Sequence, residues 1–284
     1  MIILNCQKQK DMTSTNRTTI CTTCGTKFPH NDRVPALCPI CDDDRQFVNL
    51  EGQSWTSEEE LKKGHSIKVS QVNERLYTLT IKPDFAIGQR AFLLLSPGGN
   101  ILWDCIPLLD KPTKDFIRQK GGLKAIAFSH PHFYSNMNEW ATEFNCPIYI
   151  HQNDKPWIFN YGPHVQLWNG DEKPLWDNVK LVHTGGHFPG SSMLHIASLS
   201  AGGAMLCGDS LYISRSLRHT AVMFSYPNSI PLLKEDFAAF YAKCSRLKFD
   251  TLYGATFEGQ VLEGNAYEIF TQSMNRYKSI YGLA

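Results

Sequence analysis

From about residue 66 onward, apolar and polar positions alternate along the chain. Ile67-Lys68-Val69-Ser70-Gln71-Val72 and Leu76-Tyr77-Thr78-Leu79-Thr80-Ile81 follow the two-residue period of strands that bury one face. Ala91–Leu95 and Ile101–Ile106 are nearly continuous apolar runs on either side of Ser96-Pro97-Gly98-Gly99-Asn100, which predicts a hairpin turning at Gly-Gly. Beyond it, helical spacing over residues 114–120, 133–144, 232–247 and 266–283 is interleaved with short strand-like runs at 125–128, 147–150, 179–182, 204–207 and 251–253. Strands first, then strand–helix alternation, predicts an α+β body of sheets covered by helices.

The first quarter of the chain reads differently. Residues 20–50 are polar, rich in turn formers and carry paired cysteines, too few apolar positions to bury a core unaided. Ser57 is placed to cap a short linker helix, with Glu60 completing a capping box. Met1-Ile2-Ile3-Leu4 is too short an apolar run for a secretory signal, and the polar stretch after it predicts a disordered lead in which Met12 is a second candidate start. The pattern divides the chain into residues 1–19, disordered, 20–65, a cysteine module with its linker helix, and 66–284, the body.

Composition narrows the classes. A hydrophobic share of 42% belongs to a folded protein. A formal net charge of +1 gives no global field for nucleic acid or an anionic membrane, and nothing approaches the ~18 consecutive apolar residues of a membrane span. The nine cysteines are odd in number, and Cys6, Cys105, Cys146, Cys207 and Cys244 are isolated. That is a poor disulfide framework and fits a reducing compartment, the cytoplasm or the nucleus.

The other four cysteines, Cys21, Cys24, Cys38 and Cys41, form two CxxC pairs separated by thirteen residues. Each CxxC turn aims two thiolates at one point, and two such turns complete a tetrahedron, the zinc-ribbon arrangement. Four thiolates leave no open position, so the expected role is structural. Residues 1–65 hold eight Lys/Arg against nine Asp/Glu, and Asp42-Asp43-Asp44 beside the last cysteine would repel phosphates. Docking on the body, or holding a protein partner, is the expected use of the module rather than nucleic-acid binding.

Candidate chemistry in the body lies on loops that follow strands. Phe128-Ser129-His130-Pro131-His132-Phe133-Tyr134 places two histidines at a strand tip. Thr184-Gly185-Gly186-His187-Phe188-Pro189-Gly190-Ser191 presents a third in a glycine-rich loop, and Cys207-Gly208-Asp209 adds a carboxylate. Three imidazoles and a carboxylate form a plausible site for a borderline metal. His151, His183, His195, Glu258, Arg215, Arg218 and His219 are secondary candidates for lining or orienting such a site.

In this order, HxH, then GHxPGS, then GD, residues 66–284 resemble the metallo-β-lactamase superfamily. The resemblance implies an αββα sandwich with its metal site along one edge, a first metal on His130, His132 and His187, and Asp209 as the carboxylate that bridges two metals. The sequence departs from the pattern at Tyr134 and Ser135, where the second metal's aspartate and histidine belong. Tyr253-Gly254-Ala255-Thr256-Phe257-Glu258-Gly259 also lacks the final histidine. A single ion, zinc or iron, on His130, His132, His187 and Asp209 is therefore expected beside the ribbon zinc, with Asp209 and Tyr134 as candidate catalytic groups. The implied activity is hydrolysis of an ester, thioester or lactone on a small-molecule substrate. An iron oxygenase or sulfur-handling enzyme, and a non-catalytic metal-stabilised binding protein, are the alternatives.

Overall fold

A computed structural model describes residues 19–29 and 35–283. The expected disordered lead, apart from Thr19, lies outside the described residues. The cysteine module contributes a three-stranded sheet of β1 (Thr19–Cys21), β2 (Lys27–Phe28) and β3 (Trp55–Thr56), with β1 in the middle. Helix α1 (Glu58–Gly64) follows, and Ser57 Oγ accepts from Glu60 N–H at 3.2 Å as a helix cap should. The reciprocal half of the capping box does not form; Glu60 turns instead to Lys63 at 2.6 Å.

The body is two packed sheets. The first contains β4 (Ser66–Gln71), β5 (Leu76–Lys82), β6 (Arg90–Leu94), β7 (Ile101–Trp103), β8 (Ala125–Ala127), β9 (Ile148–His151) and β10 (Val165–Trp168) in sequential order. The second runs β11 (Glu172–Pro174), β12 (Val179–His183), β13 (Ser192–Ile196), β14 (Ala204–Leu206), then β19 (Thr251–Tyr253) and β20 (Val261–Leu262). Between β14 and β19 the chain makes two small ribbons, β15 (Tyr212–Ile213) with β16 (Thr220–Ala221), and β17 (Met223–Ser225) with β18 (Ile230–Pro231).

Helices α2 (Lys111–Gln119) and α3 (Met137–Phe144) cover the first sheet; α4 (Lys234–Cys244) and α5 (Ala266–Tyr281) cover the second. This is the αββα sandwich. In β6, Phe92 and Leu94 enter the core shared by the two sheets while Ala91 and Leu93 pack under the α2–α3 layer. Both faces are buried, and the strand therefore reads as an unbroken apolar run rather than as an alternation.

Two helix boundaries differ from the sequence reading. α2 begins earlier, because Asp110 accepts from Thr113 N–H at 2.9 Å and Pro112 tolerates the first turn. The stretch from residue 133 splits into a 3-10 turn at Pro131–Phe133 and α3, with Ser135 at φ 41° between them. Among the described residues no helix is long and apolar enough to cross a membrane.

Candidate functional site

The four paired cysteines converge. Cys21 Sγ and Cys41 Sγ are 3.7 Å apart, Cys24 Sγ and Cys38 Sγ 3.6 Å, and all four residues are buried. A tetrahedron built on metal–sulfur bonds of ~2.3 Å has edges of about 3.8 Å, so these spacings match a four-thiolate ion and not a disulfide. Gln53 Nε2 donates to Cys21 Sγ at 3.3 Å, and burial pushes the Cys24 thiol up. A cation inside the cluster would reverse that direction by stabilising the thiolates.

The second cluster assembles His130, His132, His187 and Asp209, whose donor atoms all lie within 4.8 Å of one another. Both histidines follow the tip of β8 as the sequence predicts: His130 stands in extended backbone and His132 sits in the 3-10 turn. The three rings pack edge to face with centroids 4.9, 5.0 and 5.3 Å apart. Asp209 Oδ2 is 3.2 Å from His130 Nε2 and 4.0 Å from His187 Nε2. Gly208, at φ +53°, is required here: a Cβ at that position would collide with Ser129.

Burial holds the imidazoles neutral. It pulls His130 and His187 down to about 3 and His132 well below its ordinary value. Neutral rings are the ligand form. All three Nε2 atoms are buried and lack a hydrogen-bond partner, a costly state that a metal ion at the centre would relieve. The residues present therefore fit a metal.

The opposite ring nitrogens of His130 and His187 are held. His130 Nδ1 lies 2.8 Å from Ser129 Oγ, which donates to both oxygens of buried Asp104 at 2.9 Å. His187 Nδ1 lies 2.8 Å from the Phe224 carbonyl. Such partners fix the tautomer and aim the other nitrogen. Phe188, fully buried, packs against all three rings.

Above the cluster opens a cavity of about 390 Å³. One side comes from the body: Ala86–Gln89, Tyr212, Tyr226 and Thr256. The other comes from the cysteine module: Thr23, Arg45, Gln46, Phe47 and Asn49. Arg45 is the principal tie. Its Nε donates to the His187 carbonyl, and its guanidinium lies over Phe224 at 4.1 Å and Phe188 at 4.5 Å while bonding Asp43. Gln89 Nε2 bridges the carbonyls of Cys24 and His132.

The remaining candidates fall elsewhere. Tyr134, a candidate catalytic group by sequence, directs its hydroxyl to Asp154 at 3.5 Å, packs on Phe128 and does not line the cavity. His151 and His183 stack at 3.8 Å outside the cluster; His183 Nε2 meets the Pro189 carbonyl and steadies the His187 loop. His195 meets the Lys248 carbonyl instead. Glu258 pairs with exposed Lys68, and Arg215, Arg218 and His219 do not line the cavity.

Asp104, Ser129, Asp154 and Arg45 are the residues that sequence reasoning missed. Asp104 had a signal, a carboxylate inside the apolar run Leu102–Ile106. Arg45 had none.

No family profile matches the chain. The fold is similar to that of DIM-1 metallo-β-lactamase, at a TM-score of 0.55 and 10% identity, covering 75% of this chain and 98% of that one. The metallo-β-lactamase FIM-1 from Pseudomonas aeruginosa in its mono-zinc form gives 0.54 and 11%, covering 74% and 96%. A B3 metallo-β-lactamase with an active-site glutamic acid gives 0.51 and 16%, covering 84% and 97%. In sequence the chain is 38% identical over 261 residues to the uncharacterized protein YmaE of Bacillus subtilis strain 168, covering 91% of this chain and 94% of that protein. The chain belongs to the family of Bacillus subtilis YmaE and carries the metallo-β-lactamase fold.

Proposed function

We propose that the protein is a metal-dependent hydrolase of an ester, thioester or lactone, working with one ion at the histidine cluster and a structural ion in the cysteine module. The observation that carries this reading is the set of three buried, neutral imidazoles with unpartnered Nε2 atoms, gathered with Asp209 under an open cavity. A zinc ion held there would polarise a carbonyl and lower the pKa of bound water toward ~7.

The chain's own residues define the rest. Ser129–Asp104 and the Phe224 carbonyl hold His130 and His187 in place as neutral donors, and Phe188 packs against all three rings. Asp209 is the least buried of the four, with 22% side-chain exposure, and is the member able to loosen or to accept a proton from the cavity. Tyr212, Tyr226, Ala86 and Ile87 give the cavity apolar surface, while Thr23, Gln46, Asn49 and Gln89 give it hydrogen-bonding groups. That mixture suits a small acyl compound.

Metal content and turnover test the reading together. Protein purified without added metal should hold two ions per chain and hydrolyse members of an ester, thioester and lactone panel. Chelation that removes the histidine-cluster ion should abolish turnover. Unchanged turnover after its removal would exclude the proposal.

A further inference from the structure

Beside the metal cavity lies a second cavity, of about 370 Å³, and the two share Ala86–Gln89 and Thr256 as a common wall. Successive residues entering β6 point to opposite sides, as a strand requires, so Gln89 reaches toward His132 while Arg90 turns into the second cavity. Arg90 is only 5% exposed. Its Nη2 donates to the Gly254 carbonyl, its guanidinium lies 4.8 Å over Phe92, and its Nε is buried without a partner.

Among the described residues no carboxylate forms an ion pair with it. The two acidic side chains of this cavity are mostly exposed and otherwise engaged, Asp84 with Lys82 at 2.6 Å and Glu258 with Lys68 at 3.1 Å. A buried guanidinium with five donors and one protein hydrogen bond, its nearest counter-charge the exposed Glu258 that does not contact it, is costly unless an anion completes it. Its planar fork matches a carboxylate or phosphate.

We propose that Arg90 is the floor of an oxyanion-binding subsite adjoining the metal cavity, formed with Lys82, Thr256 and the 84–89 loop. The ligand is a carboxylate or phosphate group, carried either by the substrate as a tail lying over the shared wall or by a free anion. The tail alternative rests on the hydrolase reading; the subsite itself does not.

The test uses the metal-loaded full chain and inorganic phosphate. Titration should displace the 15N resonance of the Arg90 Nε–H, and Arg90→Gln should weaken phosphate binding by about tenfold or more, the loss of a charge-assisted hydrogen bond. Arg90→Lys keeps the charge without the fork and should fall between. The resonance measurement needs no variant and stands even if Arg90→Gln does not fold. An undisplaced resonance, or equal phosphate affinity in folded Arg90→Gln, overturns the subsite.

Paired activated esters separate the sources. A higher KM in Arg90→Gln for a succinate monoester but not for the matching acetate identifies a substrate tail. Unchanged KM for both, with phosphate binding still lost, identifies a free anion. If the wild type turns over neither ester nor any of the panel, the hydrolase reading fails while the phosphate titration still decides the subsite.

Discussion

The cysteine cluster and the histidine cluster are each four donor side chains within 4.8 Å, yet they are built to opposite ends. The cysteines come from two tight turns close in sequence, all four are buried, and their sulfur spacing leaves nothing for a fifth partner. The histidine cluster draws on three loops spread from residue 130 to residue 209, and its carboxylate faces a cavity. A closed thiolate site is a fastener, whereas an open imidazole–carboxylate site is a place for chemistry. What joins them is Arg45, four residues past the last cysteine, which bonds the backbone of His187 itself. The fastener therefore holds one wall of the cavity above the histidines.

Breaking the fastener should have the largest effect. Cys24→Ser should lose the module's ion, and structural zinc in small modules supplies about 10–16 kcal/mol of folding free energy. The module should lose amide-exchange protection, and turnover should fall with it, because Thr23, Gln46, Phe47 and Asn49 leave the cavity wall. Full activity in that variant would show that the two clusters are independent.

The converse change is more local. His130→Ala should remove one metal equivalent and abolish turnover while the ribbon ion and its exchange protection persist. Metal analysis beside hydrogen exchange would detect both halves; if each variant lost the same equivalent, there would be one site and not two.

The support beneath the histidines should matter by degree. Ser129→Ala cuts the link from Asp104 to His130 and should weaken metal affinity by roughly 10–100-fold, as losing a group that aims a metal-binding imidazole does, with little change in the apo fold. Competition with a metal chelator measures it. Arg45→Met keeps a long apolar stem but removes the bond to His187 and the contacts with Phe188 and Phe224. Thermal unfolding should show a loss of about 1–3 kcal/mol, and KM should rise more than kcat falls.

The smallest expected effect concerns pH. Burial lowers His151 from 6.5 to about 4, with the neighbouring His183 ring adding to it. Between those values the unfolded chain binds the proton and the folded one does not, so stability falls as pH drops from 6.5 through about 4. His151→Gln should flatten that part of the stability curve. An unaltered slope would mean that His151 titrates normally in the folded state.

Much of this was legible in the chain. The two CxxC pairs named their cluster because the spacing alone makes the turns. The alternation in β4 and β5, the apolar runs of β6 and β7 and the Gly-Gly hairpin were readable because each is governed by neighbours along the chain. Helix starts were read less well: Asp110 reaches forward to Thr113, and a proline in the first turn resembles a stop. The direction of the Tyr134 side chain was not legible, because a residue's number along a motif does not say which way it turns once the backbone enters a 3-10 segment.

The sequence by itself determined the donor sets and the strand-then-alternation order, since both are matters of identity and spacing. The tertiary structure alone decided that Asp104 and Ser129 stand behind His130, that Asp154 fastens the His187 loop through Gly190, and that Arg45 ties the cysteine module to that loop. Arg45 and His187 are 142 residues apart. No local pattern encodes such a contact, because it exists only once segments distant in sequence bury their aromatic and backbone groups against each other.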